Sequence, residues 1–160
     1  MIYLSAELAV HRSPELVWAV LADSAAYPTW VTGLVDLVHD GGPAFGLGSQ
    51  FLVTWKLGPK RVRASTEITE CTTARSLSTE TRVGPELVLL DRVVLEREQG
   101  ATRVVATSEL VEQAGVLRLL SRPAGLLGSP PGRRAEQVLY DRCFRELGLL
   151  IEARTAAPYR

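Results

Sequence analysis

Residues 51–83 read FLVTWKLGPKRVRASTEITECTTARSLSTETRV, and this stretch decides the fold. Phe51, Val53 and Trp55 alternate with Leu52, Thr54 and Lys56. After Gly58-Pro59, Val62, Ala64, Thr66 and Ile68 alternate with Arg61, Arg63, Ser65 and Glu67. Leu77, Thr79, Thr81 and Val83 then alternate with Ser76, Ser78, Glu80 and Arg82, before a second turn signal at Gly84-Pro85. A period of two residues is that of a strand with one buried and one wet face. Two longer apolar runs, 86–98 and 102–112, flank Gln99-Gly100. Strands joined by short turns, with no helix between them, form an antiparallel meander.

Working outward, Leu34 to His39 is one more strand before the loop signals Asp40-Gly41-Gly42-Pro43 and Gly46-Leu47-Gly48. Residues 2–10 make a first strand. Ser13 caps a helix that opens with Pro14 and Glu15, carries Leu16, Val17, Val20 and Leu21, and stops near Asp23. Each of those three opening residues suits the positive end of a helix. Ala25 to Trp30 forms one further short helical turn. On the other side, Ser129-Pro130-Pro131-Gly132 reads as a break, and a long helix is expected from Arg134 to about Arg154. Tyr140, Cys143, Phe144, Leu147, Leu150 and Ile151 share one face of it.

The chain has 160 residues, 46% of them apolar, with 18 basic against 18 acidic side chains. That length predicts one domain over residues 1–160, with a sizeable core. Zero net charge speaks against a nucleic-acid partner, which selects a basic excess. No apolar run approaches the ~20 residues of a membrane helix, so stable membrane insertion is not expected. The opening MIYLSAELAV lacks the basic start of a secretory signal. Cys71 and Cys143 form no CxxC pair, and a reducing cytoplasm is the plain expectation. His11 and His39 have no partner at ligand spacing, and neither a phosphate loop nor a dinucleotide fingerprint occurs, so no metal and no cofactor are expected.

The order is strand, two short helices, meander and long helix, an α+β arrangement of six to seven strands. One long helix with an apolar stripe must cover the apolar face of the sheet. The run Ser13-Pro14-Glu15-Leu16-Val17-Trp18 to Asp23, followed by Tyr27-Pro28-Thr29-Trp30, resembles the opening of the START-like (SRPBCC) superfamily. Gly46-Leu47-Gly48 before a strand, and Gly100-Ala101-Thr102-Arg103-Val104 at the last hairpin, resemble its polyketide cyclase/dehydrase branch. The resemblance covers nearly the whole chain. It implies a helix-grip fold, a curved antiparallel sheet around a C-terminal helix, with an interior pocket for a hydrophobic ligand.

Under that reading Phe51, Val53, Trp55, Ala64, Thr66, Leu77 and Thr79 line the pocket from the sheet. Tyr140, Phe144, Leu147 and Ile151 face them from the helix. Tyr27 and Trp30 close one end, as a cap on the ligand, as packing anchors for the helix pair, or as both at once. Trp18 reads as structural, and Cys143 as a buried, inert thiol. Trp55 depends on strand phase, because a shift of one residue sends it to solvent and brings Leu52 and Thr54 inward.

Asp91 shares a face with Leu87, Leu89, Val93 and Leu95. If that face is inward, Asp91 is a buried carboxyl fit for general acid–base work, with Tyr140 the other catalytic candidate and Leu89 a lining residue. If Val88, Leu90, Arg92 and Val94 face inward instead, Asp91 is solvated and Arg92 is the odd residue; both faces are apolar, and periodicity leaves the choice open. Segment 115–128 is rich in leucine and carries the charges Arg118 and Arg122. It reads as a lid, a homodimer contact, a membrane-touching element or part of the core. Two functions stand side by side. One is a binding or carrier protein for a lipid-like or polyketide-like molecule. The other is a polyketide aromatase/cyclase working by positioning and one or two proton-handling groups. Binding is the preferred expectation, because the polar groups predicted inside are few. A protein-interaction module using 115–128 is a third, weaker reading.

Overall fold

The computed structural model describes residues 2–85, 87–112 and 130–155. Seven strands form one antiparallel sheet: β1 (Ile2–Val10), β2 (Leu34–Gly41), β3 (Gln50–Leu57), β4 (Lys60–Thr72), β5 (Ser76–Val83), β6 (Leu87–Glu98) and β7 (Ala101–Glu112). Their order across the sheet is β1-β7-β6-β5-β4-β3-β2. Only β1 departs from sequence order; the other six form the meander, as short turns require.

Between β1 and β2 come α1 (Pro14–Leu21), a 3-10 turn (Ser24–Ala26) and α2 (Tyr27–Trp30). Ser13 caps α1, its hydroxyl accepting from the Leu16 N–H. Pro14 follows in the first turn, where its missing N–H costs nothing. The long helix, α3, spans Pro130–Thr155 and begins four residues before the expected Arg134. The Pro130-Pro131 pair is therefore a helix start and not a break. Proline is tolerated there because first-turn N–H groups have no helical acceptor. Segment 115–128 lies outside the described residues.

α3 runs beside β1 and is held by polar ties at both ends. The Gln137 side chain donates to Ser5 O at 2.7 Å and accepts from Ser5 N at 3.3 Å. Near the other end Arg154 donates to Asp23 at 2.7 Å, and Arg12 donates to the Thr155 hydroxyl at 2.6 Å. Between these ties Cys143, Phe144, Leu147 and Ile151 bury into a core with Val17, Trp18, Leu21, Trp30, Phe51, Val53, Ile68, Leu77 and Val104. The helix stripe thus covers the sheet face, as its spacing predicts.

Candidate functional site

Strand register decides which side chains meet inside. Thr79 pairs with Asp91, and Asp91 with Ser108. Leu77 pairs with Val93, and Val93 with Ala106; Leu77 and Ala106 are buried core residues. Residues two apart on a strand share a face. Asp91 therefore points inward with Leu87, Leu89, Val93 and Leu95, and the open choice between the two faces of β6 is resolved. Arg92 is exposed on the outer face, 3.6 Å from Glu70.

Asp91, Thr79 and Ser108 form a polar row across three neighbouring strands. The next row on the same face holds Thr66, Thr81, Leu89 and Leu110, in which the Thr66 and Thr81 hydroxyls hydrogen-bond at 2.8 Å. Burial raises the Asp91 carboxyl above the ordinary carboxylate range, and a hydrogen bond from Ser108 offsets part of that rise. Tyr140 belongs to the same neighbourhood. Its phenol is raised by burial, then by the negative charge of Asp91, then by Cys143. At neutral pH the hydroxyl stays protonated and available as a donor.

The other expected site residues divide into two groups. Phe51, Val53, Ala64, Leu77, Trp30, Phe144 and Leu147 are all buried in the core. Trp55, Thr66, Thr79, Leu89, Asp91 and Tyr140 keep accessible surface although their strand or helix phase turns them inward. They alternate with buried residues across the sheet: Thr66 lies between Ala64 and Ile68, Thr79 pairs across from Ile68, and Trp55 follows Val53. Trp55 is in phase with Phe51 and Val53, so the one-residue shift does not occur.

Trp30 and Tyr27 pack against one another and toward α3. The Tyr27 hydroxyl donates to Leu21 O at 2.6 Å. The Trp30 ring lies 4.9 Å from Tyr27 and 5.9 Å from Phe144, between centroids. Its indole N–H is buried and has no partner among the described residues. Phe144 in turn packs against Tyr140 at 5.0 Å, so an aromatic row leads from α2 to the neighbourhood of Asp91. Trp18 packs edge-on to Phe45 as a structural residue, and the buried Cys143 thiol accepts from Thr32 N at 3.1 Å.

Ser108 and Thr81 are members of the inner rows that the sequence reading misses. A signal for Ser108 is present: a two-residue turn at Gln99-Gly100 pairs Glu98 with Ala101, and counting back along the ladder places Ser108 opposite Asp91. A separate depression of about 150 Å³, lined by Asp40, Gln50, Ser65, Glu67, Glu80 and Arg82 with Phe51 and Thr66, is polar and is no match for the expected apolar pocket.

A raised carboxyl next to a hydroxyl row and a phenol can donate hydrogen bonds to a carbonyl or hydroxyl, and when ionised can accept a proton. The raised value also couples to folding. The native state holds its proton to higher pH than the unfolded chain does. Between the two pKa values the native state binds more protons, so Asp91 lowers stability as pH rises through that window. Asp91→Asn should remove this loss. Urea unfolding of both proteins at pH 4 and pH 7 is expected to show the variant gaining on the wild type at pH 7. A gain equal at both pH values would contradict a buried, raised carboxyl.

The fold has close structural relatives. The protein TTHA0849 from Thermus thermophilus aligns with a TM-score of 0.73 at 17% identity, over 96% of this chain and 99% of that one. The Zhui aromatase/cyclase from Streptomyces sp. R1128 aligns with a TM-score of 0.73 at 16% identity, over 96% and 95%. Ara h 8.0201 aligns with a TM-score of 0.68 at 12% identity, over 94% and 97%. At such identities the likeness is one of fold. No curated protein matches the sequence. The family model described as polyketide cyclase / dehydrase and lipid transport matches residues 1–135, from β1 through the whole meander to the start of α3. The sheet that carries Asp91, the helices that close it and the sequence that forms both thus place this chain in the polyketide cyclase/dehydrase and lipid transport family.

Proposed function

We propose that this protein binds a hydrophobic small molecule, lipid-like or polyketide-like, between the inner face of the sheet and α3. The observation that carries the reading is incomplete closure of the inner face. Trp55, Thr66, Thr79, Leu89 and Tyr140 turn inward among closed core residues yet keep accessible surface. A ligand there would rest against those five, above a base formed by Phe51, Val53, Ala64, Leu77, Phe144 and Leu147, with Tyr27 and Trp30 supporting the helix side. Apolar contact supplies affinity, and the few polar groups orient the ligand. The free thiols Cys71 and Cys143 fit work in a reducing compartment. Among the described residues no helix is long and apolar enough to cross a membrane.

Native mass spectrometry of the protein purified from its own host should retain an extra mass that organic solvent removes. A neutral naphthylamine dye should brighten with the native protein and be displaced by long-chain apolar competitors. Absence of both, with a folded protein, would sink the reading.

A second reading, a polyketide aromatase/cyclase, is favoured by one observation: Asp91 and Tyr140 face the same interior. In it Asp91 and Tyr140 would exchange protons with the reacting carbonyls while the walls hold the chain in a reactive shape. A synthetic poly-β-ketone thioester separates the two readings. A cyclase converts it faster than buffer does and loses that rate in Asp91→Asn, whereas a carrier only protects it.

A further inference from the structure

The β3–β4 hairpin outruns its neighbours. The β4–β5 ladder begins at Ser65–Arg82. β3 and β4 stay paired for five further rungs, Val53–Ala64, Thr54–Arg63, Trp55–Val62, Lys56–Arg61 and Leu57–Lys60. On the other side the pairing of β2 stops at Leu34, opposite Trp55. At ~3.3 Å per residue the arm continues for about 17 Å past the Ser65 rung. Lys56, Lys60, Arg61 and Arg63 all stand on it, and all are exposed. None has a carboxylate partner among the described residues. Lys56 and Arg61 lie directly opposite each other, a like-charge pairing that costs a sheet stability. The acidic groups of this face stand further back. Glu67 and Glu80 pair with each other four residues along β4 from Arg63, ~13 Å away, beyond the Debye length of ~8 Å at physiological ionic strength. Arg82 is tied to Glu80 and does not join the arm. Asp36 is on β2, with β3 between it and Arg63, and forms no ion pair with it.

We propose that this arm, through Lys56, Lys60, Arg61 and Arg63, docks the protein reversibly on an anionic lipid surface. In a chain of zero net charge, four cations on one projecting hairpin make a local positive end, and the carboxylates behind it orient the molecule arm first. Lipid suits the arm better than the other anionic partners. Duplex DNA is held by 6–10 phosphate contacts, roughly twice what four cations supply. Protein interfaces are depleted in lysine and rest on ordered anchors, whereas these side chains are exposed and free of fixed partners. A diffuse layer of headgroups asks for no fixed geometry. Apolar surface adjoins the cations as well. Val38 and Leu52 pair on the same outer face, each 49% exposed, and Trp55 lies half-open on the inner side of the arm. Basic and apolar groups side by side are the signature of a surface that rests in the headgroup layer without crossing the bilayer. The inference does not depend on the interior holding a ligand.

The test is co-sedimentation of the full chain with vesicles of phosphatidylcholine alone and of phosphatidylcholine with phosphatidylserine, at low and at physiological salt. Wild type should partition to the anionic vesicles and not to the neutral ones, less strongly as salt rises. Arg61→Gln should weaken partitioning about fivefold, the gain of one Lys or Arg near an anionic surface, and Arg61→Gln with Arg63→Gln about 25-fold. Arg75→Gln is the control. It removes the same charge from an exposed residue in the β4–β5 turn, at the opposite end of β4, and should leave partitioning within about twofold. All these residues are exposed and make no ion pair among the described residues, so the melting transitions should coincide with that of wild type. Equal partitioning to both vesicles, no partitioning to either, or equal losses in Arg61→Gln and Arg75→Gln overturns the proposal and leaves the cations as guards of the free edges of the arm. Retention on duplex DNA without retention on anionic vesicles overturns it in favour of nucleic acid. Displacement of a dye from the interior, measured on the same variants, reports on the ligand site separately.

Discussion

Replacing Trp30 by alanine is expected to destabilise the protein by about 3–5 kcal/mol, the cost of emptying a buried aromatic site. Trp30 is 6% exposed and wedges between Tyr27 on its own helix and Phe144 on α3. It is the joint between the short helices and the long one, and removing it opens a cavity that α3 cannot collapse into while Gln137 and Arg154 hold its ends. For a chain of this length the melting midpoint should fall by roughly 6–20 °C. Trp30→Phe should cost far less than the lost volume implies, because it also deletes an N–H that is buried without a partner among the described residues. Ligand affinity of the still-folded Trp30→Ala protein should stay within about threefold of wild type. A variant that melts normally but binds poorly would make Trp30 a ligand cap, the alternative left open by the sequence.

Gly42→Ala should rank second, at about 2–4 kcal/mol. The residue has φ +72°, and a Cβ there would stand 2.3 Å from Gly48 O. The obstacle is backbone, so it yields only if the β2–β3 loop opens. Opening it breaks the knot in which the fully buried Ser49 hydroxyl donates to Pro43 O at 2.7 Å and accepts from Gly46 N at 2.8 Å. Gly48→Ala is the control: φ is +84°, but no atom lies within 4 Å of the added Cβ. It should show only the left-handed penalty, about 1 kcal/mol. Equal losses in chemical unfolding of the two variants would refute the close approach as the cause at Gly42.

Much of this molecule is legible from local chemistry. The alternations at 51–56, 62–68 and 76–83 correspond to β3, β4 and β5, and their buried members include the expected Phe51, Val53, Ala64, Ile68 and Leu77. Ser13-Pro14-Glu15 starts α1 as its capping chemistry requires. The Pro130-Pro131 pair misleads because proline both ends helices and begins them, and only the folded chain shows which. The site is harder. The face of β6 is ambiguous because Leu87, Leu89, Val93 and Leu95 on one side match Val88, Leu90 and Val94 on the other. Pairing with Leu77 on β5 and with Ala106 on β7, themselves inward, resolves it.

What the sequence determined by itself was everything that rests on neighbours a few residues apart: strand periodicity, the cap of α1, the turns, the apolar stripe of α3, and through them the family. Tertiary structure alone decided which residues share an interior. Asp91, Ser108 and Tyr140 are separated by 17 and 32 positions, differences read directly from their numbers. They meet because β6 and β7 lie in register and α3 crosses the face that this register turns inward. Desolvation is likewise a property of that enclosure. A carboxyl with an ordinary pKa in the unfolded chain becomes a raised, proton-holding group only when the sheet and helix exclude water around it.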